Sequence, residues 1–138
     1  MLHAGVYEGT WKDGQRYGKG THTALNGSKY VGDFVRGLRE GNGVLTCSDG
    51  YKYEGEWKQG QPDGKGSCIL DGGMYVGDWA NGLLEGRGVY TYPSGDVYDG
   101  PWLRGKRHGE GTLTKADGTV WKGTWHEGVL IGALRPTS

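Results

Sequence analysis

The segment nearest to a reactive motif is Gly14-x-x-x-Gly18-Lys19-Gly20. A phosphate-cradling loop needs four residues between its first glycine and a Gly-Lys-Ser/Thr triplet. Backbone N–H groups then ring the phosphates and the hydroxyl reaches the metal. This segment is one residue short and has glycine after the lysine, so no nucleotide site is expected. His3, His22, His108 and His126 are scattered without the spacing of metal ligands. Cys47 and Cys68 are expected on second strands of adjacent hairpins with one strand between them. That separation is about 10 Å, beyond the reach of a disulfide, so both read as small apolar fillers. Asn26-Gly27-Ser28 has the form of a glycosylation acceptor but reads as a turn. No Ser/His/Asp or Cys/His set stands out, and the carboxylates sit on repeating positions. The expectation is a non-enzyme with no catalytic residue, metal or cofactor.

Charge offers more. The 16 basic and 16 acidic residues cancel, which argues against nucleic acid as a partner. Acids recur at Glu8, Asp33, Glu54, Glu56, Asp78 and Asp99. Bases gather near a second set of positions, Lys12, Arg16, Arg36, Arg39 and Lys58, and are densest at Arg104, Lys106 and Arg107 with His108. Such a row can meet anionic lipid headgroups or an acidic protein surface. The competing reading is a solvated hairpin edge, interrupted by Glu40, Asp63 and Glu85. The densest apolar stretch is Val129-Leu130-Ile131-Gly132-Ala133-Leu134. Val129, Leu130, Ile131 and Leu134 are expected either to fold back as a cap or to form an interface at the end of the array. No apolar run is long enough to span a membrane, and no signal peptide is visible.

The elements that carry these residues come from a repeat. Of 138 residues 30 are glycine, against roughly 7% in average proteins. All but Gly5 and Gly73 lie on one frame: Tyr-x-Gly-x-Trp-x-x-Gly-x-x-x-Gly-x-Gly, then a further glycine. It starts at Tyr7, Tyr30, Tyr53, Tyr75 and Tyr98, with a partial copy at Trp121, and the spacing is 23 residues except for one step of 22. The third repeat loses its residue between Gly66 and Gly72.

Tyr-x-Gly-x-Trp alternates with the period of a strand. One face then collects Tyr7, Trp11, Tyr30, Phe34, Tyr53, Trp57, Tyr75, Trp79, Tyr98, Trp102, Trp121 and Trp125. The other is mostly polar. Six Trp, nine Tyr and one Phe must supply the buried surface that aliphatic residues usually provide. A second strand is expected from about Gly18, its Gly-x-Gly start letting the facing tryptophan approach closely. Leu45, Cys68, Tyr90, Leu113 and His22 fall in register with the rings. Asn26-Gly27, Asp49-Gly50, Asp71-Gly72, Ser94-Gly95 and Asp117-Gly118 read as hairpin turns, with Asn-Gly and Asp-Gly pointing to type I′. Pro101 cannot donate to a ladder and is expected to face away from a partner strand or to sit at a bulge. The fold class is therefore all-β: residues 1–138 form one elongated, single-layer antiparallel meander of about 11 strands built from tandem hairpins.

These residues resemble the MORN repeat (membrane occupation and recognition nexus) over about residues 5–132. The departures are Phe34 for Trp, Trp121 for Tyr, the shortened third repeat and the truncated sixth. The resemblance implies a non-enzymatic scaffold or adaptor for protein–protein assembly in a cytoskeletal or ciliary complex. Such an array is expected to dock partners along its ring-lined surface, and its open edge strands invite association with a partner or with a second copy as a homo-oligomer. The place implied is the cytoplasm, with cytoskeleton or cilium ahead of a membrane surface. Alternatives that the family offers are an anionic-phospholipid, phosphoinositide-binding tether, and the regulatory segment of a larger enzyme.

Overall fold

A strand of this chain can bury only one face, and that face is aromatic. The computed structural model, which describes residues 5–131 and the backbone of residues 135–136, is all strand and turn. The strands are β1 (Val6–Lys12), β2 (Gln15–Thr23), β3 (Lys29–Val35), β4 (Leu38–Thr46), β5 (Lys52–Lys58), β6 (Gln61–Leu70) and β7 (Gly73–Ala80). They continue as β8 (Leu83–Thr91), β9 (Val97–Leu103), β10 (Lys106–Arg107), β11 (Gly109–Thr114), β12 (Val120–His126), β13 (Val129–Leu130) and β14 (Arg135–Pro136). All belong to one antiparallel sheet in which chain order is spatial order.

β10 and β11 both face β9, and β13 and β14 both face β12. Counting each broken pair as one strand, the 14 strands fill twelve positions in six hairpins among the described residues. The single-layer antiparallel meander is as expected, with one position beyond the expected count of about 11. The sixth repeat is not left as a single strand, because the chain returns along β12 at both of its ends.

The turns reverse the sequence expectation. The positive-φ pair of a type I′ turn lies inside each repeat, at Asp13-Gly14, Arg36-Gly37, Gln59-Gly60, Asn81-Gly82, Arg104-Gly105 and Glu127-Gly128. Between repeats, Gly27, Gly50, Gly95 and Gly118 have positive φ but the residues before them do not. There Gly27 N–H donates to Ala24 O (3.0 Å) and Ala24 N–H to Ser28 O (2.8 Å). That is the three-residue hairpin loop of a type I turn closed by a left-handed glycine. The exception is Asp71-Gly72, where both residues have positive φ. Deleting one residue from the third repeat has exchanged a three-residue loop for a two-residue one.

Each of the first five hairpins also carries a bulge. Gly32 pairs with Gly43 but Phe34 pairs with Arg39, so the second strand takes two extra residues, centred on Gly41 at φ +80°. The same slip recurs in the first, third and fourth hairpins. The leading glycine of each Gly-x-Gly is therefore needed for its backbone conformation. A Cβ on Gly18 would meet nothing within 4 Å. The second glycine is needed for space, and the ring above it is tyrosine rather than tryptophan: a Cβ on Gly20 would lie 2.5 Å from Cε1 of Tyr7. Pro101 meets its expectation. Its carbonyl accepts His108 N–H (3.1 Å) at the break between β10 and β11, so its missing donor faces the bulge.

Candidate functional site

The rings interlock as an edge-to-face zigzag. Tyr30 meets Phe34 and Trp57 at 5.0 and 5.2 Å between centroids, and Tyr53 meets Trp57 and Trp79 at 5.0 Å each. Tyr75 continues to Trp79 and Trp102, and Tyr98 to Trp102 and Trp125. Interplanar angles in this run lie between 78° and 90°, the geometry that sets ring edge against ring face. Each phenol O–H donates to the carbonyl three residues on, as in Tyr53 to Glu56 O (2.7 Å) and Tyr75 to Asp78 O (2.8 Å). Each inner indole N–H reaches back to a glycine carbonyl of the strand before: Trp57 to Gly43 O (3.0 Å), Trp79 to Gly66 O (3.1 Å) and Trp102 to Gly88 O (3.3 Å). The polar tips of the rings are thus satisfied where the rings are buried.

Burial moves the phenols accordingly. It pushes Tyr30 and Tyr98 up to about 12 and shifts Tyr53 and Tyr75 further in the same direction. Tyr30, Tyr53, Tyr75 and Tyr98 have at most 1% of their surface exposed. Ring chemistry is consumed by the core, so the middle of the ladder is not an open aromatic groove. At the amino-terminal end it does open. Trp11 is 58% exposed and lines, with Tyr7, Arg16 and His22, a cavity of about 400 Å³. The other end departs in chemistry: Trp121 donates through Nε1 to Thr119 Oγ1 (3.2 Å) and has no hydroxyl to offer Thr124 O, which accepts Ile131 N–H (2.9 Å).

The basic row comes apart in three dimensions. β2, β4 and β9's partner β10 begin at the turn itself, so Arg16 faces Trp11, Arg39 faces Phe34 and Arg107 faces Trp102. Their guanidiniums lie on the ladder: Arg16 over Phe34 (5.1 Å), Arg39 over Trp57 (5.1 Å) and Arg107 over Trp125 (5.6 Å). Arg107 also donates to Tyr92 Oη (2.7 Å), and burial holds Arg39 below the usual guanidinium range. Leu84 fills the same place in the fourth repeat and is buried against Trp79. The expected patch is therefore divided. Arg104 and Lys106 are exposed, Arg107 belongs to the ring face, and the His108 ring sits 5.1 Å from His126.

Sequence reading missed what Glu40, Asp63 and Glu85 do. Each carboxylate accepts the backbone N–H of the first turn residue in the next hairpin: Gln59 (3.0 Å), Asn81 (3.1 Å) and Arg104 (3.0 Å). His108 Nδ1 faces Glu127 N–H in the same way at 3.4 Å. The glycines beside them donate to the previous strand, as in Gly60 to Arg39 O (2.9 Å). These acids clasp turn to turn. Their regular placement one residue after the Arg/Pro/Leu position was the available signal.

At the carboxyl end, Val129, Leu130 and Ile131 are all exposed, although Val129 and Leu130 pair with β12. Leu134 lies outside the described residues. Cys47 and Cys68 are free thiols, and burial pushes Cys68 up to about 11, as suits an inert filler.

The face opposite the rings carries a row that crosses the sheet. Glu8, Thr21, Val31, Val44, Glu54, Ser67, Val76, Val89 and Asp99 stand in successive register. Beside it, Lys19 pairs with Asp33 (2.6 Å) and Lys65 with Asp78, and Arg87 reaches Asp99 at 3.5 Å.

The profile of the MORN repeat matches residues 7–29, 30–50, 53–74, 75–97 and 98–120. No curated protein matches the chain. Five matched copies on one uninterrupted hairpin ladder place the chain in the MORN-repeat family of repeat scaffold and binding modules.

Proposed function

We propose that this chain is a non-enzymatic adaptor that assembles protein partners in a cytoskeletal or ciliary complex of the cytoplasm. The observation that carries the reading is the division of labour between the two faces. The aromatic face is closed on itself, with its tyrosines buried and its N–H and O–H groups bonded internally. The opposite face keeps its variable first-strand side chains, Glu8, Val31, Glu54, Val76 and Asp99, in solvent, with the second-strand residues between them half-buried. A surface of that kind offers several docking points at fixed spacing and no reaction centre.

Proximity labelling from the chain at native expression tests this. Enrichment of cytoskeletal or axonemal proteins is the expected result, and labelling indistinguishable from a diffuse cytosolic control overturns it.

A second reading is an anionic-lipid tether, favoured by the exposed bases Arg36, Arg104 and Lys106 at the turn row. The engagement of Arg16, Arg39 and Arg107 with rings leaves fewer cations for a headgroup, which supports the protein reading. Flotation with phosphoinositide vesicles separates the two. Salt-sensitive binding that vanishes in Arg104→Glu/Lys106→Glu supports the tether, and no flotation supports the adaptor.

A further inference from the structure

The outward row alternates from hairpin to hairpin. On β1, β3, β5, β7 and β9 it reads Glu8, Val31, Glu54, Val76 and Asp99. The three acids are exposed, and Val31 and Val76 are 46% and 52% exposed. The intervening second strands reinforce the pattern: Val44 pairs with Val31 and Val89 with Val76, whereas Thr21 and Ser67 stand beside the acids. In this row hairpins two and four are thus apolar stations, and hairpins one, three and five are acidic ones; the adjoining row of the same face carries Asp33 and Asp78, each already paired with a lysine. The ladder and its glycines do not require this alternation, since they repeat in every hairpin.

The first apolar station and the Glu54 beside it border a trough that runs across β2–β5. Glycines 20, 32, 43 and 55 form its floor, Val31, Val44 and Glu54 one wall, and Lys19 and Asn42 the other, enclosing about 590 Å³. Its walls are successive outward positions of one strand, about 6.6 Å apart.

Pitch decides the occupant. Successive hairpins lie two strands apart, about 9.6 Å. Three residues of polyproline II helix advance about 9.3 Å and return to the same side. Seven residues of α-helix advance about 10.5 Å, so across four hairpin steps they overshoot by about 4 Å. Three residues of β-strand advance about 10 Å, but an odd step turns the side chain to the opposite face.

Resting on the adaptor reading, we propose that this outer row, flanked by the trough over β2–β5, binds a polyproline II segment of a protein partner, with basic and apolar residues alternating at every third position. Cations then meet Glu8, Glu54 and Asp99, and aliphatic side chains seat on the Val31/Val44 and Val76/Val89 pairs. A preformed polyproline helix gives up little conformational freedom on docking, and two apolar anchors on one rigid segment reinforce each other.

The probe is the synthetic peptide Arg-Pro-Pro-Leu-Pro-Pro-Arg-Pro-Pro-Leu-Pro-Pro-Arg, titrated into the full chain by fluorescence anisotropy. Saturable binding is expected. It weakens about tenfold or more in Val31→Lys/Val76→Lys and in Glu54→Lys, and falls with salt. A peptide of the same composition with its Arg and Leu moved off the three-residue period binds at least about tenfold more weakly. The near-ultraviolet circular dichroism of the ring ladder stays unchanged in the variants, which shows that they fold. Any of four results overturns the proposal: no binding, equal binding of the off-period peptide, binding unaffected by these substitutions, or preference for a helical peptide with seven-residue spacing. Self-association of the chain alone that is lost in Val31→Lys/Val76→Lys assigns the face to a second copy and also overturns it. The proximity-labelling result stands apart from all of these, so the adaptor reading can survive the loss of this one.

Discussion

Replacing Gly66 by alanine puts a methyl group where the fold has no room. The new Cβ falls 2.5 Å from both Cε1 and Cζ of Tyr53, about 1 Å inside carbon–carbon contact distance. The ring cannot yield freely. It is fully buried, wedged between Trp57 and Trp79 at 5.0 Å each, and tied by its hydroxyl to Glu56 O at 2.7 Å. Overpacking costs about 1–3 kcal/mol. Loosening one edge-to-face contact adds about 1 kcal/mol, and stretching the phenol bond about another 1 kcal/mol. The expected loss is about 3–5 kcal/mol. The control is Gly18→Ala, where φ is +69° and the space is empty, so that only the left-handed backbone is penalised, by about 1–2 kcal/mol. Urea unfolding followed by tryptophan fluorescence measures both. Equal losses in the two variants refute the claim that tyrosine packing, rather than backbone conformation, fixes the second glycine.

Three further outcomes follow from the same geometry. Trp79→Phe keeps an aromatic ring but removes the pyrrole half of a buried indole, and with it the N–H that bonds Gly66 O at 3.1 Å. It is expected to cost about 1–2 kcal/mol in urea unfolding, and Trp11→Phe, at the exposed end, a few tenths at most. In acid, Lys19 holds the Asp33 carboxyl, and Lys65 the Asp78 carboxyl, below the usual carboxylate range. The unfolded chain therefore takes up protons first as pH falls, and the stabilisation present above about pH 4 is lost through and below that range. Because these pairs are solvent-exposed the effect is a few tenths of a kcal/mol each, and Lys19→Ala/Lys65→Ala flattens the acid limb of a thermal-stability profile. In alkali the sign is opposite. Tyr30 and Tyr98 are raised to about 12 by burial, so their share of stability is complete below the ordinary phenol range near pH 10 and is lost as pH climbs through it. Spectrophotometric titration is expected to show Tyr30, Tyr53, Tyr75 and Tyr98 ionising with unfolding rather than before it.

Period-two alternation made the ring face legible in the sequence, and the column of Leu45, Cys68 and Tyr90 opposite the tyrosines followed from parity alone. The turns were harder. Asn-Gly and Asp-Gly favour positive φ, but type I′ geometry is held at Gln59-Gly60 and Arg104-Gly105, where the carboxylate clasp from the neighbouring turn stabilises a conformation that glutamine and arginine do not favour alone. The bulge at each leading glycine hid where the second strand begins. Starting it at Gly18 left Arg16, Arg39 and Arg107 among the turn cations, although parity carried two residues further back places them on the rings. The sixth hairpin was obscured because β13 and β14 lack the glycine pair that marks the other second strands. The alternation of valine and acid across the outer face was present in the residues throughout. It emerges only when register sets each hairpin beside the next.

The most direct test of the interlocked ladder is a nuclear Overhauser spectrum of the folded chain, read at the Trp79 indole. The structure predicts cross-peaks from that ring to both Tyr53 and Tyr75, whose centroids lie 5.0 and 5.4 Å away. Cross-peaks to neither tyrosine, with the indole N–H exchanging as fast as that of Trp11, would contradict a core made of rings closed upon one another.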